Sequence, residues 1–104
     1  MKVFVELRYA KKSFIVSGGL DICFDGRKQL ELDFEENEMT ARQLIQHLRV
    51  ACNQKKMDFF VSQDGIRPGI LVLINDADWE LEEKEEAMLR DRDRVSFIST
   101  LHGG

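Results

Sequence analysis

Arg94-Val95-Ser96-Phe97-Ile98-Ser99-Thr100-Leu101-His102-Gly103-Gly104 closes the sequence. Residues 94–100 alternate with period two, placing Val95, Phe97 and Ser99 on one face and Ser96, Ile98 and Thr100 on the other, which predicts a strand. Beyond it stands neither a helix pattern nor a charge cluster, only Leu101, His102, Gly103 and Gly104. The expectation is a domain over residues 1–100 and a tail over 101–104.

Two readings of the tail stand side by side. Chain ends are commonly small-residue rich and frayed, so Gly103 and Gly104 need carry no chemistry. Alternatively, glycines without a Cβ let other groups approach the main chain closely. Four extended residues reach roughly 13 to 14 Å, far enough to carry the Gly104 carboxylate into a partner's active site. That carboxylate, with a pKa of about 3.3 to 3.7, is ionised at neutral pH and a poor electrophile. Its use therefore requires activation, for example as an acyl phosphate made with ATP, before a sulfur or nitrogen nucleophile attacks. No group in the chain is suited to perform that step alone.

Upstream, Ile70-Leu71-Val72-Leu73-Ile74 is a continuous apolar run of strand length. Such a run predicts a central strand covered on both faces, or one whose second face awaits a partner. Asn75-Asp76-Ala77-Asp78 reads as a turn. Its spacing lacks the ligand pattern of a calcium loop, and no metal site is assigned. Trp79, Leu81, Met88 and Leu89 punctuate the acidic stretch 80–86, for which a helical turn is one reading and a short strand at residues 79–81 the favoured one, and Arg90-Asp91-Arg92-Asp93 makes the last turn.

At the other end, Val3, Val5 and Leu7 alternate with Phe4, Glu6 and Arg8, a half-buried strand. An irregular segment with Phe14, Ile15 and Val16 leads through the flexible turn Ser17-Gly18-Gly19 to Leu20, Ile22 and Phe24, expected as core anchors. Asp25-Gly26 is a turn, and a second strand spans 28–34 with Leu30, Leu32 and Phe34 on one face. Thr40 has the spacing of a helix N-cap with Gln43 as the other half of a capping box. Leu44, Ile45, Leu48 and Cys52 give the apolar stripe of a helix over 41–53. His47 reads as a solvated helix residue, without a nucleophile or carboxylate constellation around it. Residues 57–69 read as a loop pinned by Phe59, Phe60 and Val61, with turns at Gln63-Asp64-Gly65 and Arg67-Pro68-Gly69.

Composition narrows the class. A chain of 104 residues suits one domain, and 43% hydrophobic with 33% charged residues describes a soluble globular protein. The N-terminus interrupts its apolar residues with Glu6 and Arg8, unlike a signal peptide, and no run approaches the ~18 apolar residues of a membrane span. A cytoplasmic monomer without membrane contact is expected. The net charge of −4 argues against extended nucleic-acid contact, which needs a basic stripe. Cys23 and Cys52, in a predicted strand and a predicted helix, read as separate small buried residues, with neither a disulfide nor catalysis assigned.

Strand, strand, helix, strand, short strand, strand describes an α+β architecture: a mixed sheet of four to five strands with one main helix packed across one face. Two hairpin strands, a crossing helix and a C-terminal strand returning to the sheet make a ubiquitin-like β-grasp. Its second face stays partly open, and Phe4, Ile98 and part of the 70–74 run are expected to form a partner patch there, with Arg67 as a structural or partner-facing residue.

Residues 67–81, Arg-Pro-Gly-Ile-Leu-Val-Leu-Ile-Asn-Asp-Ala-Asp-Trp-Glu-Leu, and residues 95–104, Val-Ser-Phe-Ile-Ser-Thr-Leu-His-Gly-Gly, together resemble the eukaryotic ubiquitin-related modifier 1 family. Gly18-Gly19-Leu20-Asp21 and Phe24-Asp25-Gly26 resemble its early turn, whereas residues 11–17 and 82–86 depart from it. The resemblance implies a sulfur carrier and protein modifier, not an enzyme. Its terminal glycine, here Gly104, is adenylated by an activating enzyme that uses ATP, then converted to a thiocarboxylate by a rhodanese-like domain with a sulfur donor. Leu101, His102 and Gly103 are the implied tail contacts of that enzyme. The sulfur passes through a separate thiouridylase complex to the wobble uridine of transfer RNA, and members also join covalently to lysines of target proteins. No cofactor is expected on the chain itself. Two alternatives are a ubiquitin-like interaction module that undergoes no chemistry, which should tolerate residues added after Gly104, and a subunit delivering sulfur within a cofactor-synthesis enzyme.

Overall fold

The structure, a computed structural model, describes residues 1–9, 20–62 and 65–99. Phe14, Ile15 and Val16, the turns at Ser17-Gly18-Gly19 and Gln63-Asp64, the Thr100/Leu101 boundary and the tail to Gly104 lie outside them.

In chain order the strands are β1 (Lys2–Tyr9), β2 (Gln29–Asp33) and β3 (Glu38–Thr40), followed by helix α1 (Ala41–Ala51). Then come β4 (Val61–Ser62), β5 (Gly65–Ile66), β6 (Ile70–Ile74), β7 (Ala77–Asp78), β8 (Met88–Arg90) and β9 (Arg94–Ser99). Five of them form the principal sheet in the order β2-β1-β9-β6-β7, while β3 pairs with β8 and β4 with β5 in two small ribbons. β9 enters the middle, parallel to β1 and antiparallel to β6. This is a mixed β-grasp sheet of five strands with one main helix.

Strand alternation decides which face takes the helix. Val3, Val5, Val72, Val95 and Phe97 point to one face, each at most 1% exposed, and there meet Leu44, Ile45 and Leu48 of α1 in one core. Phe97 stacks edge-on against Phe60, and Phe60 against Phe24, with ring centroids 5.1 and 5.6 Å apart. This aromatic row ties β9 to the short 3-10 turn Leu20–Phe24. Leu20 and Phe24 are buried as core anchors.

The capping box forms as its spacing predicts. Gln43 N–H donates to Thr40 Oγ1 at 3.2 Å, and Thr40 N–H donates to Gln43 Oε1 at 2.8 Å. The helix stops two residues short of the expected 53. Cys52 turns extended (ψ 148°), and Asn53 N–H donates to Cys23 O at 2.6 Å instead of continuing the spiral. Gln54 Nε2 donates to the carbonyls of Arg49 and Cys52, both at 2.9 Å, satisfying acceptors that a helix end leaves open.

Several expectations are corrected. The favoured strand at 79–81 is instead the helical-turn alternative, a 3-10 helix over Trp79–Glu82, started by Asp78 Oδ1 accepting from Glu80 N–H at 2.9 Å. The strand at this point is β7, just before it, joined to β6 by Asn75 and Asp76 with φ of 50° and 69°. Positive φ at both central residues is the hairpin turn that matches strand twist. Residues 57–69 are not wholly a loop: they contain a 3-10 turn, Met57–Phe59, and the β4–β5 ribbon. Cys23 lies in a 3-10 turn, not a strand. The β3–β8 pairing was not anticipated, since three-residue strands are too short for a two-residue period to stand out.

Candidate functional site at the carboxyl end of the central strand

β9 is held on both sides to its last residue. Ser99 lies opposite Tyr9 on one flank and Ile70 on the other. Whatever follows Ser99 therefore starts from a fixed point at one end of the sheet, and the next five residues span up to about 17 Å if extended. Thr100, Leu101, His102, Gly103 and Gly104 are these following residues and lie beyond the described part of the chain.

Around the base of this exit, the Arg67-Pro68-Gly69-Ile70 turn closes with Ile70 N–H donating to Arg67 O at 3.3 Å. Gly69 adopts φ 93°, a value at the third turn position that glycine takes without steric cost. Arg67 is exposed, and its Nη1 donates to Asp58 O at 2.8 Å, fixing the turn to the 3-10 segment before it.

The face of the sheet away from α1 carries Phe4, Glu6 and Arg8 from β1, Ser96 and Ile98 from β9, and Leu71 and Leu73 from β6, but it is not open at its centre: Ser96 and Ile98, the latter expected in a partner patch, are buried. Phe4 is opposite Arg94, whereas Ile98 is opposite Arg8 on one side and Leu71 on the other. Phe4 and Ile98 share the face but stand four residues apart along paired strands, roughly 13 Å. Between them runs an ion pair from Arg94 to Glu6 at 3.1 Å, with Arg8 3.8 Å from the same carboxylate group. Ile98, 8% exposed, adjoins Leu71, 36% exposed; Arg67 lies outside the sheet, just before β6. The apolar part of the face is thus concentrated near the exit of β9, and Phe4 is separated from it by charge.

No group of three or more His, Cys, Asp or Glu side chains suited to a metal ion occurs among the described residues. His47 is an exposed helix residue, its ring 4.8 Å from that of Phe34. Cys23 and Cys52 are buried, as expected, but not separate: Asn53 N–H, next to Cys52, donates to Cys23 O at 2.6 Å. The 28 intervening residues hid this proximity from the sequence.

A family model described as Urm1 (Ubiquitin related modifier) matches residues 12–104. The chain belongs to the Urm1 family. The Ubiquitin-related modifier 1 homolog of Dictyostelium discoideum is 45% identical over 105 residues, covering 100% of both chains. Human Ubiquitin-related modifier 1 is 44% identical over 89 residues, 84% of this chain and 88% of the human one. Among solved structures, Urm1 from Trypanosoma brucei superposes with a TM-score of 0.75 at 34% identity, covering 99% and 95% of the two chains. SAMP1 from Haloferax volcanii has a TM-score of 0.71 at 15% identity, covering 100% of both, a likeness of fold. Urm1 proteins are ubiquitin-like modifiers and sulfur carriers, not enzymes, and the fold and family expected from residues 67–81 and 95–104 are those found.

Proposed function

We propose that the chain acts as a carrier whose reactive group is the Gly104 carboxylate. An activating enzyme with adenylation and rhodanese-like domains would adenylate Gly104 with ATP and a sulfur donor would then replace the adenylate, leaving a thiocarboxylate. That sulfur would pass through a thiouridylase complex to the wobble uridine of transfer RNA, and the activated glycyl group would alternatively acylate lysines of target proteins. Leu101, His102 and Gly103 would thread the activating enzyme's channel. The proposed setting is the cytoplasm, with the chain a monomer that binds neither cofactor nor nucleic acid. No helix among the described residues is long and apolar enough to cross a membrane.

The observation that carries this reading is the reach of the family match, which runs through the terminal Gly103-Gly104 instead of stopping at the end of the sheet. Adenylation expels pyrophosphate and makes a mixed anhydride; attack by sulfur then expels AMP. Both steps need a carbonyl open to approach, which a glycine provides. The domain's contribution is to hold the base of the tail still while the partner supplies the chemistry.

The test is intact mass spectrometry after incubation with ATP, a sulfur donor and the activating enzyme from the same cells. The expected result is a gain matching one carboxylate oxygen replaced by sulfur, absent from a copy lacking Gly104 and from one extended beyond it. An unchanged mass, under conditions that charge a known Urm1, would instead identify a passive interaction module.

A further inference from the structure

The sulfur chemistry proposed for Gly104 does not use Cys23 and Cys52. Cys23 belongs to the 3-10 turn Leu20–Phe24, and Cys52 caps the carboxyl end of α1. The main chain brings these elements together through the 2.6 Å hydrogen bond from Asn53 N–H to Cys23 O. That bond sets Cys52, the residue before Asn53, beside Cys23, and each thiol has a carbonyl to donate to: Cys23 Sγ to Lys56 O at 3.3 Å, Cys52 Sγ to Asn53 O at 3.4 Å. At 0% and 3% exposure, the two sulfur atoms share one enclosed site.

From this juxtaposition we infer that Cys23 and Cys52 form a redox-reversible cross-link, an intramolecular disulfide that staples the Leu20–Phe24 turn to the end of α1. Disulfides require two Cα atoms within about 4.4 to 6.8 Å and converging Cβ vectors. The Asn53–Cys23 backbone hydrogen bond, made by the residue next to Cys52, brings the two main chains into that neighbourhood, and both cysteines belong to elements outside the sheet.

The oxidant is a low-molecular-weight disulfide such as that of glutathione. Cys52, the less enclosed thiol, gives up its proton and attacks one sulfur of the oxidant; that S–S bond breaks and one glutathione thiolate leaves and takes up a proton. Cys23, deprotonated in turn, attacks the Cys52 sulfur of the mixed disulfide and displaces the second glutathione thiol. Two protein thiols are oxidised and one glutathione disulfide is reduced to two thiols. Burial pushes the Cys52 thiol up from its ordinary pKa, against the lowering effect of the Cys23 contact. The thiolate is therefore scarce at neutral pH and the exchange slow. What the geometry favours is the equilibrium position, not speed.

The full chain would be brought to equilibrium in a series of glutathione redox buffers, with and without denaturing urea, quenched by alkylation and weighed intact. The expected product is a monomer lighter by two hydrogens, with one peptide linking Cys23 to Cys52. The effective concentration of the pair should be at least about tenfold higher in the folded chain than in urea. The oxidised monomer should also unfold at higher urea than the reduced one. A glutathione adduct as the stable folded product, a dimer linked between chains, or equal or lower effective concentration when folded would each overturn the inference. Cys23→Ala and Cys52→Ala should both lose the product, and the wild-type comparison decides the matter even if either variant folds poorly.

Discussion

Ser96 is 1% exposed, and its Oγ has no hydrogen-bond partner among the described residues. It lies on the face away from α1, between Glu6 and Leu73 in register. A buried hydroxyl left unpaired costs free energy that a methyl group does not. Ser96→Ala is therefore expected to stabilise the domain by up to about 1 kcal/mol, read as a higher urea midpoint with unchanged slope. Asp91 provides the opposite case. Its Oδ1 accepts Lys2 N–H at 2.7 Å, and this hydrogen bond, aided by nearby positive charge, holds its carboxyl below the ordinary value. A folded-state pKa lower than the unfolded one means that the contribution is complete above the unfolded value and disappears as pH falls through the folded one. Asp91→Asn should lower stability near neutrality and flatten the loss on acidification below about pH 4. Urea titrations at stepped pH would show it, and an acid limb parallel to the wild type would contradict it.

At the level of elements, the helix start was readable because Thr40 and Gln43 carry their own instruction, independent of the rest of the fold. Thr40→Ala should cost about 0.5 to 2 kcal/mol, measured by urea unfolding, with the loss shared by the β3–β8 ribbon because Thr40 also ends β3. By contrast, the Arg42–Glu86 pair, 2.9 Å apart with both side chains more than half exposed, should contribute no more than about 1 kcal/mol. Glu86→Gln should shift the midpoint little. Elements with periodic apolar residues were legible for the same local reason: Val3, Val5 and Leu7, the stripe on α1, and Val95 with Phe97. Those missed depend on distant partners. Met88–Arg90 becomes a strand because Met39 and Leu89 face one another across the ribbon, and α1 ends early because Cys23 offers a carbonyl to Asn53. Which residues share the face away from α1 was foreseen by alternation, but not the Glu6–Arg94 pair that divides it, since cross-strand register is a property of the assembled sheet. The proposed chemistry of the tail was legible only as a possibility until the resemblance extending from Arg67 added its context.

For the whole molecule, the decisive arrangement is β9 between β1 and β6, with Phe97 at its core. Phe97→Ala should remove about 3 to 5 kcal/mol, a large part of the roughly 5 to 15 kcal/mol that holds a domain together. Near-ultraviolet circular dichroism and a lowered melting temperature would report the loss; a midpoint within experimental scatter of the wild type would mean that the Phe24–Phe60–Phe97 row is not the keystone argued above. The order of manufacture gives the same arrangement another meaning. β1 is made first and can find β2 soon afterwards, yet the partner for its other edge is β9, about 85 residues later. At roughly 5 to 20 residues per second, a nascent chain waits some seconds with the future centre of its sheet empty. The last strand to arrive is also the one from which the carboxyl end departs. A partner that grips the sheet and the residues beyond Ser99 together would thus select chains that have finished folding.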